Sequence, residues 1–200
     1  MQAFIVRRAV PDDADAVTDL WVRSWLDTYV SPEHGVTEDY LATIMTRRSS
    51  RAGREHLRQQ LSSGDTRRQA MFVAEADGLI VGMAAPRVEE DGTQRVGALY
   101  VSKAWHGRGP GNALMSEVLA WRDPSRPLLL EVAVYNARAI AFYRRWGFVA
   151  LPGASVMSGV IPTVRMELPA RRQPGHPRRS AGRGTGPSGP PMPGKRRPRG

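Results

Sequence analysis

The sequence predicts a single α/β (α+β) domain, a mixed and mostly antiparallel sheet flanked by helices, followed by a disordered basic tail. Three observations point to it. Apolar residues keep helical spacing through most of the N-terminal third, change to strand alternation between residues 70 and 101, and then switch between the two kinds again. Two hundred residues with 41% hydrophobic content are enough to bury one core of ordinary size. The last thirty residues have a composition unlike anything before them.

Each element has its own local cause. "AFIVRRA" at 3–9 alternates apolar and basic residues like a strand, and "PDDADAV" opens a helix, with proline in its first turn and carboxylates at its positive end. Leu20, Trp21, Trp25, Leu26 and Tyr29 continue that helix at helical spacing. A second helical region over 37–61 is polar and arginine-rich, with Tyr40, Leu41, Ile44, Leu57 and Leu61 as its apolar residues. The period then falls to two. Strands are expected at 70–76, 79–88 and 95–101, joined by turns at Asp77-Gly78 and at "EEDGTQ". A helix follows at about 110–121, and then "RPLLLEVAVY" at 126–135, apolar enough for a strand covered on both faces. "NARAIAFYRRWG" reads as a short helix from Asn136 to Gly147, and "FVALPG" and "TVRMELP" as two closing strands. The order is β-α-α-β-β-β-α-β-α-β-β.

Charge and cysteine count narrow the chemistry. The formal net charge is +10, but residues 171 to 200 hold nine Lys or Arg and no acid, which leaves 20 basic and 19 acidic side chains in residues 1 to 170. The charge belongs to the tail. With fourteen Pro or Gly in thirty residues and no aromatic, that tail cannot bury enough apolar surface to offset its ordering entropy. The folded domain is therefore expected over 1–169 and a disordered tail over 170–200, able at most to make weak, nonspecific contact with nucleic acid. There is no cysteine, so disulfides, thiolate metal sites and cysteine nucleophiles are excluded, and no metal is expected. No apolar run suits a signal peptide or a membrane span, which predicts a cytoplasmic protein with no membrane partner.

Two stretches carry chemistry. "WHGRGPGNALM" places Gly107, Gly109 and Gly111 at alternate positions beside His106 and Arg108, after a strand and at the start of a helix. Helix N-termini offer unpaired amides and a positive dipole end, so this loop suits a pyrophosphate, although glycine also serves ordinary tight turns. Neither a Walker loop nor the dinucleotide fingerprint is present. In "LEVAVYNARAIAFYRRWGF", Asn136 starts a helix and Tyr143 follows nearly two turns later, on one face and about 10 Å along the axis. Read without a ligand, Asn136 is an N-cap and Tyr143, Phe142 and Trp146 are core.

Together these stretches resemble the GNAT superfamily of acyl-CoA-dependent N-acyltransferases. "LYVSKAWHGRGPGNALM" resembles its strand plus Q/R-x-x-G-x-G/A signature. "NARAIAFYRRWGF" resembles its Asn-x-x-Ala-x-x-Phe-Tyr-x-x-x-Gly-Phe block, and "IVRRAVPDDADAVTDLWVRSWLDTY" a common N-terminal start. The resemblance spans about residues 4 to 168 and implies a splayed sheet whose strands part near Val101 and Val134 to admit coenzyme A. It implies that the backbone of Leu99, Tyr100 and Val101 binds the pantetheine arm and thioester, with the Val101 amide near the acetyl oxygen. Gly107, Arg108, Gly109, Pro110, Gly111 and Asn112 would hold the pyrophosphate, Asn136 the pantetheine arm, and Tyr143 would face the sulfur. His106 stands where the family usually has Gln or Arg, and Pro110, which removes one amide from the cradle, where it usually has an aliphatic residue.

The implied reaction is direct attack of a primary amine of a small molecule or peptide on acetyl-CoA, by a monomer or homodimer. Neutralising a lysine-like amine at pH 7 costs about 4.6 kcal/mol, against about 1.4 kcal/mol for an α-amino group. The family's usual glutamate on the third meander strand is missing, since that strand reads Val96, Gly97, Ala98. Glu131 is the candidate base, at a spacing similar to that in the ribosomal-protein N-terminal alanine acetyltransferases; it reads equally as a strand glutamate paired to arginine. Tyr143 is the candidate acid. Trp25, Tyr29 and Tyr40 could line the acceptor side, and Glu89, Glu90 and Asp91 could attract a cationic amine. The alternatives are an acyl-CoA-binding module without turnover, and nucleic-acid association through the tail.

Overall fold

A computed structural model describes residues 3–63 and 67–171; apart from Ala170 and Arg171, the basic tail lies outside the described residues. Seven strands form one sheet: β1 (Ile5–Arg8), β2 (Phe72–Ala76), β3 (Leu79–Val88), β4 (Gln94–Val101), β5 (Leu128–Ala133), β6 (Val149–Ser158) and β7 (Ile161–Leu168). Five α-helices accompany them: α1 (Ala14–Tyr29), α2 (Glu38–Ser49), α3 (Arg51–Ser62), α4 (Pro110–Trp121) and α5 (Ala137–Arg145). The strand order is β1-β2-β3-β4-β5-β7-β6, and among the described residues β4–β5 is the one parallel pair.

Three expectations about elements need correction, one being that the closing strands are longer than "FVALPG" and "TVRMELP", β6 running on to Ser158 and β7 starting at Ile161. The helical region over 37–61 is two helices, broken at Ser50, whose extended ψ of 160° ends α2 and starts α3. The Ser50 hydroxyl accepts from the Gly53 amide at 3.1 Å, and a Cβ on Gly53 would collide with the carbonyls of Arg47 and Arg48. The strand expected over 126–135 ends at Ala133, because Asn136 already caps the next helix.

The two faces of the sheet are covered by different helices. Leu114, Met115 and Val118 of α4 are fully buried against strand residues that include Phe72, Ala84 and Leu130. Each such side chain contributes about 1.5–3 kcal/mol on removal from water. Gly82 permits this approach, since a Cβ there would come within 3.0 Å of Leu114 Cδ1. On the other face Val17 and Leu20 of α1 and Leu57 of α3 pack against Val73, Met83 and Ala98. β1 is tied to the start of α1 by Arg7, whose guanidinium donates to Asp13 Oδ2 at 2.7 Å and Oδ1 at 2.8 Å and to Glu75 Oε2 at 2.9 Å. Asp13 also accepts from the Val10 amide at 2.8 Å.

Candidate active site

β4 and β5 pair at only two positions, Gln94 with Leu128 and Arg95 with Leu129, and then part. Gln94 fastens the closed end. Its buried side chain accepts from the Asp123 amide at 2.7 Å and donates to the Asp123 carbonyl at 3.0 Å, with the Pro127 carbonyl at 3.4 Å. Beyond Arg95, among the described residues, the β4 ladder continues on its β3 side alone. Ser102 donates to Val81 across that ladder at 2.9 Å, so strand alternation turns the peptide groups of Leu99 and Val101 the other way, into the split.

A cavity fills the split, walled by β4 on one side and by Val132, Ala139 and Phe142 on the other. The residues expected to bind coenzyme A or to act as acid and base all line it except Arg108, which is exposed, and Pro110, which is buried in the first turn of α4. The glycine loop forms one end. Gly107 and Gly109 have φ of 74° and 110°, in the region L side chains rarely adopt, and Gly109 also lies against the Phe4 ring, where a Cβ would sit 3.2 Å from it. The first α-helical bond of α4 is made by Ala113 to the Gly109 carbonyl, so the amides of Gly111 and Asn112 precede it and lack helical acceptors.

His106 joins this loop to the end of β4. Its Nε2 lies 2.9 Å from the Val101 carbonyl oxygen, while Arg138 of α5 approaches the ring at Nδ1. Burial holds the imidazole pKa below its usual value, partly offset by the Val101 bond and reinforced by the Arg138 charge. The ring is thus neutral at pH 7, and the arrangement fits a proton on Nε2 donated to the Val101 carbonyl, with the Arg138 guanidinium close against the ring. Nearby, Lys103 and Asp27 pair at 2.6 Å, linking the loop to α1.

On α5, Asn136 is an N-cap: its Oδ1 accepts from the Ala139 amide at 3.0 Å. Asn136 also borders the cavity. Tyr143 is buried, its ring packed edge-on against Phe142 at 5.3 Å and Phe148 at 5.6 Å. Burial, with a smaller contribution from Tyr29, raises its phenol pKa well above the usual value. The group therefore stays protonated throughout the physiological range. Glu131 of β5 lines the cavity and is also paired to arginine, at 3.1 Å from Arg165 Nη2 and 3.6 Å from Arg95 Nη1.

A second opening, on the side of α1, meets the first at Tyr29, Val96, Gly97, Tyr100 and Glu131. Trp25 and Tyr29 line it, their rings 5.0 Å apart, and Tyr29 Oη lies 3.2 Å from Tyr100 Oη. Trp21 packs instead toward Tyr100 and the α1 core, and Tyr40 packs in a cluster with Val36, Leu41 and Ile161. Glu89 faces this opening but is bound by Arg87 at 2.9 Å and Arg95 at 3.3 Å. Sequence reading did not single out Arg87, Arg95, Gln94 or Arg138. Arg138, two residues after Asn136, had a local signal in its position on the first turn of α5; the others depend on strand register.

A profile of the acetyltransferase (GNAT) domain matches residues 67–150. The chain is 34% identical over 154 residues to an aminoglycoside N(6')-acetyltransferase type 1 of Stenotrophomonas maltophilia, spanning 72% of this chain and 84% of that protein. The chain belongs to the GNAT family of acetyltransferases. It is accordingly an N-acetyltransferase dependent on acetyl-CoA. This GNAT enzyme shares its fold with a PaiA N-acetyltransferase from Thermoplasma acidophilum solved with coenzyme A, at TM-score 0.65 and 17% identity over 82% of this chain and 98% of that one. It shares it also with the ribosomal-protein-S18-alanine N-acetyltransferase of Escherichia coli, at TM-score 0.54 and 18% identity over 84% and 94%. The splayed, mostly antiparallel sheet implied by the sequence is the one observed. Among the described residues, no helix is long and apolar enough to cross a membrane.

Proposed function

We propose that this acetyltransferase is a cytoplasmic enzyme that acetylates a primary amine of a small molecule by direct attack, with the split between β4 and β5 as the donor site and the opening beside α1 as the acceptor site. The observation that carries this reading is the meeting of the two openings at Gly97 and Glu131, beside the unpaired edge of β4. An extended arm bearing amides can pair with the peptide groups of Leu99 and Val101 as an added strand would. Gly107, Gly109 and the amides of Gly111 and Asn112 suit a pyrophosphate at the helix terminus, while Arg108 lies ready at the rim. The relative's name, an aminoglycoside acetyltransferase, supports a small-molecule amine rather than a protein.

Acetyl-CoA supplies a thioester carbon open to attack. The Val101 amide stabilises the charge that gathers on its oxygen. Glu131 orients the amine and takes a proton from it, and Tyr143 gives its phenol proton to the departing sulfur. A new carbon–nitrogen bond replaces the carbon–sulfur bond, and one N–H proton of the amine ends on the thiol. Glu131 then gives its proton to solvent and Tyr143 takes one from solvent, which returns both groups to their starting states.

The test is a screen of amines with acetyl-CoA that follows free thiol. Release with at least one acceptor is expected. Acetyl-CoA binding without release from any of them would favour the second reading, a binding module without turnover. Gly97 supports that second reading, because β4 carries no acid where the family usually has one. The basic tail, proposed only as a nonspecific nucleic-acid contact, is tested by titrating the full chain against residues 1–170, where equal affinity would end the idea.

A further inference from the structure

Five charged side chains run as one alternating chain across the acceptor opening. Arg87 Nε lies 2.9 Å from Glu89 Oε1, and Arg95 Nε lies 3.3 Å from the same oxygen. Arg95 Nη1 is 3.6 Å from Glu131 Oε1, and Arg165 Nη2 is 3.1 Å from it. Three guanidiniums thus enclose two carboxylates. The excess charge is positive, and both ends of the chain are cationic.

Arg87 is the end with donors to spare. Its side chain is 50% exposed, and among the described residues only its Nε is hydrogen-bonded. The guanidinium lies over Gly97, where a Cβ would collide with Nη1. Gly97 is also where β4 bulges: Ala85 pairs with Ala98 and Pro86 with Val96, which leaves Gly97 without an opposite residue. The bulge and the missing side chain together admit a cation to the meeting point of the two openings.

Resting on the acetyltransferase reading, we propose that the acceptor is a small amine that also carries an anionic group, a carboxylate or a phosphate, bound by Arg87 and Arg95 while the amine faces Glu131. A polycation is a poor fit. Three guanidiniums face the two carboxylates, so once the reacting amine has taken Glu131, further ammonium groups would meet net positive charge. An anion near Arg87 instead gains charge-assisted hydrogen bonds in a partly desolvated opening. The chain therefore differs in acceptor class from what the name of its aminoglycoside-acetylating relative describes.

The experiment compares α-amino acids with their primary amides, aminoalkyl phosphates with the matching amino alcohols, and one aminoglycoside. Thiol release measures turnover, and calorimetry with coenzyme A already bound measures acceptor binding. One charged hydrogen-bond pair predicts a preference for the anionic member of about 10- to 100-fold in kcat/KM or in affinity. Arg87→Met should remove most of that preference through KM, and Arg87→Lys should restore part of it. A carboxylate source and a phosphate source are told apart by which pair shows the preference. Equal use of anionic and neutral members, preference for the aminoglycoside, or a preference that survives Arg87→Met overturns the proposal while leaving the acetyltransferase intact. Should no acceptor release thiol, the acetyltransferase reading fails, and an Arg87-dependent preference in calorimetry still decides the anion site; its absence there overturns the site as well.

Discussion

The imidazole of His106 bridges two elements: its Nε2 meets the carbonyl of Val101 at 2.9 Å, at the point where β4 ends and the glycine loop begins. The bond satisfies a carbonyl inside the split that has no strand partner, and it fixes the loop relative to the β4 edge. His106→Ala should weaken acetyl-CoA binding by about 3- to 10-fold, the cost of about one hydrogen bond. His106→Gln, which keeps an N–H donor, should recover most of it; isothermal titration of the three proteins checks this. Because the folded ring has a lowered pKa, the unfolded chain takes up the proton first as pH falls. The contribution to stability is present above the unfolded value of about 6.5 and declines below it.

Tyr143 should matter to turnover more than to binding. Tyr143→Phe keeps the ring packing against Phe142 and Phe148 and deletes only the hydroxyl. The expected result is a fall in kcat of about 100-fold or more, with the acetyl-CoA dissociation constant nearly unchanged. Stopped-flow turnover beside equilibrium binding would show it, and an unaltered kcat would remove the phenol from the reaction.

Asn136 has two roles that substitutions can separate. Asn136→Asp retains an oxygen for the Ala139 amide, so helix stability should hold while the side-chain amide donor of this cavity-lining residue is lost. Asn136→Ala loses the cap as well, at about 1 kcal/mol in urea unfolding. Both should weaken acetyl-CoA binding, and only the second should lower the unfolding midpoint.

Asp13 gives the fold a sensitivity to acid. Hydrogen bonds from Arg7 first, then from the Val10 amide, hold its carboxyl below the ordinary range despite burial. A depressed carboxyl pKa stabilises the folded state above the unfolded value of about 3.9 and loses that effect as pH falls through the folded value. Asp13→Asn should destabilise by about 2 kcal/mol at pH 7, and the gap to the unsubstituted protein should narrow below about pH 4. A constant gap across that range would mean that Asp13 acts through packing alone.

What could be read from the sequence was whatever is local. Strand alternation in "QAMFVAEADGLIVGMAAPRV", the glycines after β4 and the Asn136–Tyr143 interval are each set by neighbours a few residues away; they sufficed for the succession of strands along the chain and, with the family resemblance they carry, for much of the cavity lining. The break at Ser50 escaped because serine is tolerated inside helices, and its extended backbone follows from how α3 turns back onto α1. The charge chain escaped for another reason. Arg87, Arg95, Glu131 and Arg165 come from four strands, and their meeting depends on a register that includes the bulge at Gly97. The acidic turn read as an attraction for cations is for the same reason partly spent: Glu89 is held by two arginines.

Gln94 gives the enzyme a pivot. Mechanically the sheet is a pair of tongs, joined at its closed end by Gln94 and by the pairing of Arg95 with Leu129, with Val101 near the tip of one jaw about 20 Å away at ordinary strand rise. On that lever a rotation of about 3° at the closed end opens the tip by about 1 Å. Gln94→Ala, far from that tip, is therefore expected to loosen the split at Val101, read as weaker acetyl-CoA binding.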